Sequence, residues 1–162
     1  MADFTAAIVK TLAHEGGDTF TNDAHDHGGA TKYGISQKAY PKLDIANLSE
    51  DQAKDIYRRD YWNRIHGDDI QSQIVAETIF DACVNMGVAG GSRLAQKTLA
   101  IEPADGIIGR QSLAAINAAN EDLFIAKFAL AKIQRYAEIC QADSSQKKYL
   151  LGWLNRTLSG TA

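Results

Sequence analysis

The chain has 162 residues, 45% of them hydrophobic and 23% charged, with a formal net charge of −3. That length suits one domain with a real core, and the composition excludes both a disordered chain and a membrane-spanning one. A net negative charge argues against nucleic acid as the main partner.

The first residues, Met1 to Glu15, form a short amphipathic pattern with an acidic residue at position 3. This is not the basic segment and apolar run of an export signal, so a cytoplasmic product is expected. Asp3 is placed to cap a helix whose apolar positions Phe4, Ala7, Ile8, Thr11 and Leu12 follow helical spacing. Gly16-Gly17 ends that helix and leaves Glu15 in its last turn. The helix dipole disfavours negative charge at that end, which suits a proton donor. Two readings of Glu15 are open at this point: a solvated helix-end residue, or an acid.

The stretch from His14 to Gly34 is the most polar of the chain and holds five of its thirteen glycines and three of its four histidines. Polar, glycine-bent loops on helical bodies commonly carry chemistry. Thr21, Tyr33 and Ile35 alternate with polar residues as in a short hairpin. Ser36 is then expected to cap a short helical piece that Pro41 interrupts, and Ser49 to open a helix through a capping box with Gln52. That helix places Ala53, Ile56, Tyr57 and Tyr61-Trp62 on one face. After the Gly67-Asp68-Asp69 break, Ile70 to Met86 reads as the central helix. Gly87, Gly90 and Gly91 are expected to form a turn, with Ser92 starting the next helix. Asp105 to Gly109 is a second turn, followed by a short helix with Leu113 and Ile116. Asn120 caps a long helix to about Cys140, and a final helix holds Tyr149, Leu150, Trp153, Leu154 and Leu158. Cys83 and Cys140 fall in apolar stretches and read as reduced core thiols. Trp62 and Trp153 read as core residues rather than sugar platforms. Residues 1–81 carry 8 Lys+Arg against 14 Asp+Glu, and residues 82–162 carry 9 against 6. Ordinary solvated helix faces explain this; an acidic catalytic half beside a basic half that attracts an anionic polymer is the other reading.

Three chemistries can be weighed in the loop. Glu15 with Asp26 or Asp23, and a hydroxyl at Thr31, would supply the paired carboxylates of glycosidic cleavage. His25 and His27, with His14 and Asp23 or Asp26, could form a zinc site, but solvated loop histidines are the preferred reading. Gly28 to Lys32 lacks the spacing of a phosphate-binding loop.

Glu15-Gly16-Gly17, Asn22-Asp23, Asp26 and Gly28-Gly29-Ala30-Thr31-Lys32-Tyr33-Gly34-Ile35-Ser36 together resemble the N-terminal signature of glycoside hydrolase family 108. The resemblance continues in Phe80 to Gly87 and in Asp105 to Gly109, and closes on Gly152-Trp153-Leu154-Asn155-Arg156. It implies a mainly α, lysozyme-like domain with a small hairpin-like active-site loop. It divides the chain into a catalytic part, residues 1–92, and a helical peptidoglycan-binding part, residues 93–162, packed as one unit. The implied activity is N-acetylmuramidase, cleaving the β-1,4 bond between N-acetylmuramic acid and N-acetylglucosamine. The expected agent is a monomer without cofactor or metal that reaches the wall after release; the missing export signal fits a phage or prophage lysis protein and, equally, a host protein released by a dedicated route. Glu15 matches the family's acid, and Asp26 and Thr31 stand where a second carboxylate and a threonine are expected. Asn22, Tyr33 and Asn85 are expected to line the cleft, although Tyr33 and Asn85 could equally serve the fold. Ten residues separate Glu15 from Asp26, a longer spacing than the family pattern, so Asp23 and Asp18 stay open as the second carboxylate. A non-catalytic wall-binding protein and a zinc-dependent amidase are the alternatives, separable by the products released.

Overall fold

The computed structural model describes residues 1–22 and 29–159. Helix α1, Phe4–His14, opens with the Asp3 carboxylate accepting from the Thr5 amide at 2.8 Å. The predicted positions Phe4, Ala7, Ile8, Thr11 and Leu12 are its buried ones. The Gly17 amide returns to the Leu12 carbonyl, and both Gly16 and Gly17 have positive φ, which only glycine takes without steric cost.

Strands β1, Thr31–Lys32, and β2, Ile35–Ser36, pair antiparallel, Thr31 opposite Ser36 and Lys32 opposite Ile35. Tyr33 and Gly34 turn the corner with φ of 53° and 73°. Two successive left-handed residues match the twist of a tight hairpin, but tyrosine is an uncommon choice for the first. It is held there from both sides: the Tyr33 amide donates to the Gly17 carbonyl at 3.1 Å, and the Tyr57 hydroxyl donates to the Tyr33 carbonyl at 2.9 Å. The short helix expected after Ser36 is a series of turns instead; the Ser36 hydroxyl accepts from the Ala39 amide, and Gln37 satisfies the carbonyls of Tyr40, Pro41 and Leu43. With its side chain bonded to those carbonyls, Gln37 ties the segment into a loop.

Helix α2, Glu50–Tyr57, begins with the complete capping box of Ser49 and Gln52. It widens into a π turn over Arg58–Trp62 and tightens over Asn63–Ile65. Trp62 is fully buried; it meets Phe4 and Phe80 edge-on, with centroids 5.7 and 5.4 Å away, and Gly67 packs flat against its indole. Helix α3, Gln73–Met86, is the central helix, starting later than Ile70 because Ser72 caps it.

The expected turn at Gly90-Gly91 is corrected. Only Gly87 breaks the chain, with φ of 80°, and α4, Val88–Thr98, runs through both later glycines. A Cβ on Gly91 would lie 2.6 Å from the Cys83 backbone nitrogen, so this glycine exists to let α4 touch α3. Cys83 and Cys140 are free and buried, and burial pushes the Cys83 thiol up to about 12. Helices α5, Arg110–Ala118, α6, Glu121–Ala142, and α7, Leu150–Ser159, complete the fold. Gln96 of α4 fixes the 105–109 turn by donating to Asp105 and Ile107 and accepting from the Gly106 amide. Trp153 is half-buried and stacks on Tyr136, centroids 5.0 Å apart. The mainly α, lysozyme-like architecture with its small hairpin is thus as expected, and no helix among the described residues is long and apolar enough to cross a membrane. The divide expected between residues 92 and 93 falls inside α4.

Gly91→Ala forces α4 away from α3. A loss of about 1–3 kcal/mol in unfolding free energy is expected from such overpacking, measured by urea denaturation.

Candidate active site

Glu15 is the residue that closes α1, its amide still bonded to the Thr11 carbonyl at 3.0 Å. The helix therefore fixes its backbone while its side chain leaves toward the hairpin. That side chain is 21% exposed. Its carboxylate is held between two elements from distant parts of the sequence. On one side is the hairpin turn: a Cβ on Gly34 would lie 2.9 Å from Oε2 of Glu15 and 2.7 Å from the Tyr57 hydroxyl. Gly34 is thus required twice, for its left-handed backbone and for the room it leaves the acid.

On the other side is Arg156 of α7, whose Nη2 lies 2.8 Å from Oε1 of Glu15. Both atoms are buried, and the contact is an ion pair out of line for a hydrogen bond. The same Nη2 is 2.8 Å from Oδ1 of Asp81, to which the Arg156 Nε also donates at 3.0 Å. Asp81 is therefore the guanidinium's better partner, and Glu15 receives the remainder of its charge. Lys132 Nζ and His14 Nδ1 each stand 3.4 Å from the Asp81 carboxylate. A carboxylate among apolar neighbours on a central helix must be paired, and this one faces three cation-forming side chains. Burial pushes the Asp81 carboxyl upward, but the hydrogen bond and charge of Arg156, then Lys132 and His14, hold it below the usual carboxylate range. Burial lowers the Lys132 amine against the pull of Asp81. Burial, then the charge of Glu15, raise the Tyr57 phenol, which stays a hydrogen-bond donor.

The residues expected in the site lie as follows. Thr31 is on β1, its hydroxyl donating to the Gly29 carbonyl at 3.2 Å and its backbone bridging Thr21. Asn22 is exposed beside that bridge. The Tyr33 side chain is buried with the core, and its backbone makes the hairpin turn. Asn85 sits one helical turn beyond Asp81 and accepts from the Tyr136 hydroxyl at 3.2 Å. Asp18 is exposed in the turn after α1. Asp26 and Asp23, with His25 and His27, lie outside the described residues. Among the described residues, no cluster of three or more His, Cys, Asp or Glu side chains could hold a metal.

Sequence alone gives Arg156, Asp81 and Lys132 no chemical role, although Asp81 and Arg156 stand in two of the segments that carry the family resemblance. Asp81 left a trace there, as an acid inside the run Ile79-Phe80-Asp81-Ala82-Cys83, where a charge demands a partner. Nothing local in the sequence connects it to Arg156.

Comparison with known proteins adds to this geometry. Residues 8–87 match the family model described as Glycosyl hydrolase 108, and residues 90–158 match one described as Predicted Peptidoglycan domain. Glu15 and Asp81 fall in the first region, and Lys132 and Arg156 in the second. Among solved structures, the chain is similar to that titled "Structure of Brucella abortus SagA", with 26% identity and a TM-score of 0.72 over 98% of this chain and 95% of that one. No curated protein matches.

Asp81 has a folded pKa below its unfolded value, so the stability it contributes is complete above the unfolded value of about 3.9 and is lost as pH falls through the folded one. In Asp81→Asn, unfolding free energy measured from about pH 5 down to about pH 2 is expected to fall less steeply than in the wild type.

Proposed function

The chain belongs, through residues 8–87, to glycosyl hydrolase family 108, and from that membership we propose that Glu15 is its general acid in cleaving peptidoglycan between N-acetylmuramic acid and N-acetylglucosamine. The companion region at residues 90–158 supports peptidoglycan as the polymer attacked. The observation that carries the reading is the placement of Glu15: a partly shielded carboxylate, fixed by the end of α1, wedged between the hairpin and a buried arginine.

Cleavage requires a proton on the departing glycosidic oxygen while positive charge develops on the muramic sugar. Glu15 gives that proton. Its carboxylate then becomes negative with Arg156 Nη2 already 2.8 Å away, so no charge has to be brought in after the bond breaks. Asp81 engages the same guanidinium, accepting from Nε at 3.0 Å and standing 2.8 Å from Nη2, so the charge of Arg156 is shared between the two carboxylates. Bound substrate removes water from the same site. Asp26 stabilises the sugar cation or directs water, with Asp23 and Asp18 as its competitors for that role, and Thr31 orients the water or a sugar hydroxyl. Asn22 and Asn85 contribute to the cleft wall, and Tyr33 supports it through the hairpin turn its backbone makes. The biological setting we propose is lysis of the cell wall by a phage or prophage product.

Glu15→Gln keeps the size of the side chain and removes the transferable proton. Release of new reducing ends from purified peptidoglycan is expected to fall by about 10²–10⁴-fold, with an unchanged circular dichroism spectrum. The reducing sugar in the wild-type product is expected to be N-acetylmuramic acid; free amino groups in its place would identify an amidase, and no product a binding protein. Asp26→Ala is expected to be more damaging than Asp23→Ala in the same assay, and the reverse order would transfer the second role to Asp23.

A further inference from the structure

A cavity of about 420 Å³ lies among α1, α3, α6 and α7. Arg156 lines it and Glu15 does not, so the arginine is a wall shared by the acid's surroundings and a second, separate recess. Its volume lies in the range of small-ligand sites, roughly 300–1,000 Å³. Its lining has two characters. Ile74, Ile125, Phe128 and Ala129 give an apolar wall, while Lys10, Lys132 and Arg156 face Glu77 and Asp81. Three cations thus meet two carboxylates within the lining, and Arg156 is also paired with Glu15 just outside it. Lys132 sits at the base with its side chain 6% exposed, and Lys10 reaches over the mouth, 69% exposed, paired with Glu77 at 2.7 Å. Nothing in the proton transfer assigned to Glu15 uses Lys10, Glu77 or the apolar wall.

We infer that this cavity receives the peptide stem of the muramic acid whose glycosidic bond is cut. The inference rests on the proposed cleavage at Glu15 and adds the part of the substrate that flanks it. The stem is a short peptide of small side chains with free carboxylates and, at its third residue, an ammonium group. The recess presents matching chemistry: an apolar wall for methyl and methylene groups, cationic side chains for carboxylates, and the largely shielded Glu77, 13% exposed, for an ammonium. Position agrees with chemistry. His14 lines the cavity and the next residue is the acid, so a sugar bound at Glu15 delivers its substituent to the edge of the recess. Three extended residues span roughly 10 Å, enough to pass over His14 into it. The site thus distinguishes wall strands that carry peptides from strands that have lost them.

The test separates stem recognition from glycosidic cleavage. Synthetic L-Ala-γ-D-Glu-diaminopimelate is titrated into the wild-type protein by calorimetry, beside the same peptide with its carboxylates amidated. Saturable binding at about millimolar concentration is expected for the first, and about tenfold weaker binding for the second. Ala129→Phe, which fills the recess, and Lys10→Ala, at its exposed mouth, are each expected to weaken binding of the acidic peptide about tenfold, with melting temperatures recorded as the control for folding. In parallel, the ratio of kcat/KM on peptide-bearing strands to that on amidase-stripped strands is expected to fall about tenfold in Ala129→Phe. No saturable binding by the wild type, equal binding of the amidated peptide, or undiminished binding by Ala129→Phe overturns the inference. Failure to cleave either strand overturns the glycosidase reading instead, and the peptide titration still decides the recess.

Discussion

One guanidinium organises the functional half of this molecule. Arg156 comes from the last helix, and its Nη2 stands between Glu15 at the end of the first helix and Asp81 in the middle of the central one. Each of the three side chains is less than a quarter exposed, so each would be unfavourable without the others. Removing the arginine would leave two shielded carboxylates facing each other; removing Asp81 would leave Glu15, among the described residues, as the guanidinium's one close carboxylate. The arrangement thus links folding to chemistry through a single shared charge. The aromatic packing of Phe4, Trp62 and Phe80 holds α1 on α3 so that the two carboxylates stay at this spacing.

The hairpin supplies the opposite wall by backbone rather than by charge. Tyr33 accepts an uncommon left-handed conformation because Gly17 and Tyr57 both bond its peptide groups. The reward is that Gly34 arrives against the Glu15 carboxylate with no side chain to displace it. Such local strain is sustained by surrounding structure and is often found where a functional group must be placed closely. The tyrosine expected to touch substrate is, in its observed position, first of all a hinge-pin of the turn.

Much of this could be read from the chain, and the parts that could not have a common cause. Asp3, Ser49 and Asn120 act as helix caps where local hydrogen bonding predicts them, because capping depends on residues only a few positions apart. The Glu15-Gly16-Gly17 ending is legible for the same reason. Gly90 and Gly91 misled, since a glycine kept for close helix contact looks in sequence like a glycine kept for a turn; only the position of Cys83 separates the two. The Glu15–Arg156–Asp81 contact was invisible because its members come from opposite ends and the middle of the chain, and no periodicity links them. Within the site, the placement of Glu15 was legible from the end of its helix, whereas its charge partners required the packing of α3, α6 and α7.

The placement of Arg156 on the final helix also orders events in time. A ribosome makes Glu15 well before Arg156, and a contact so far apart in sequence carries a large loop-closure cost until the intervening helices have packed. Chains not yet extended through α7 carry Glu15 without its counter-charge and without the helix that buttresses it.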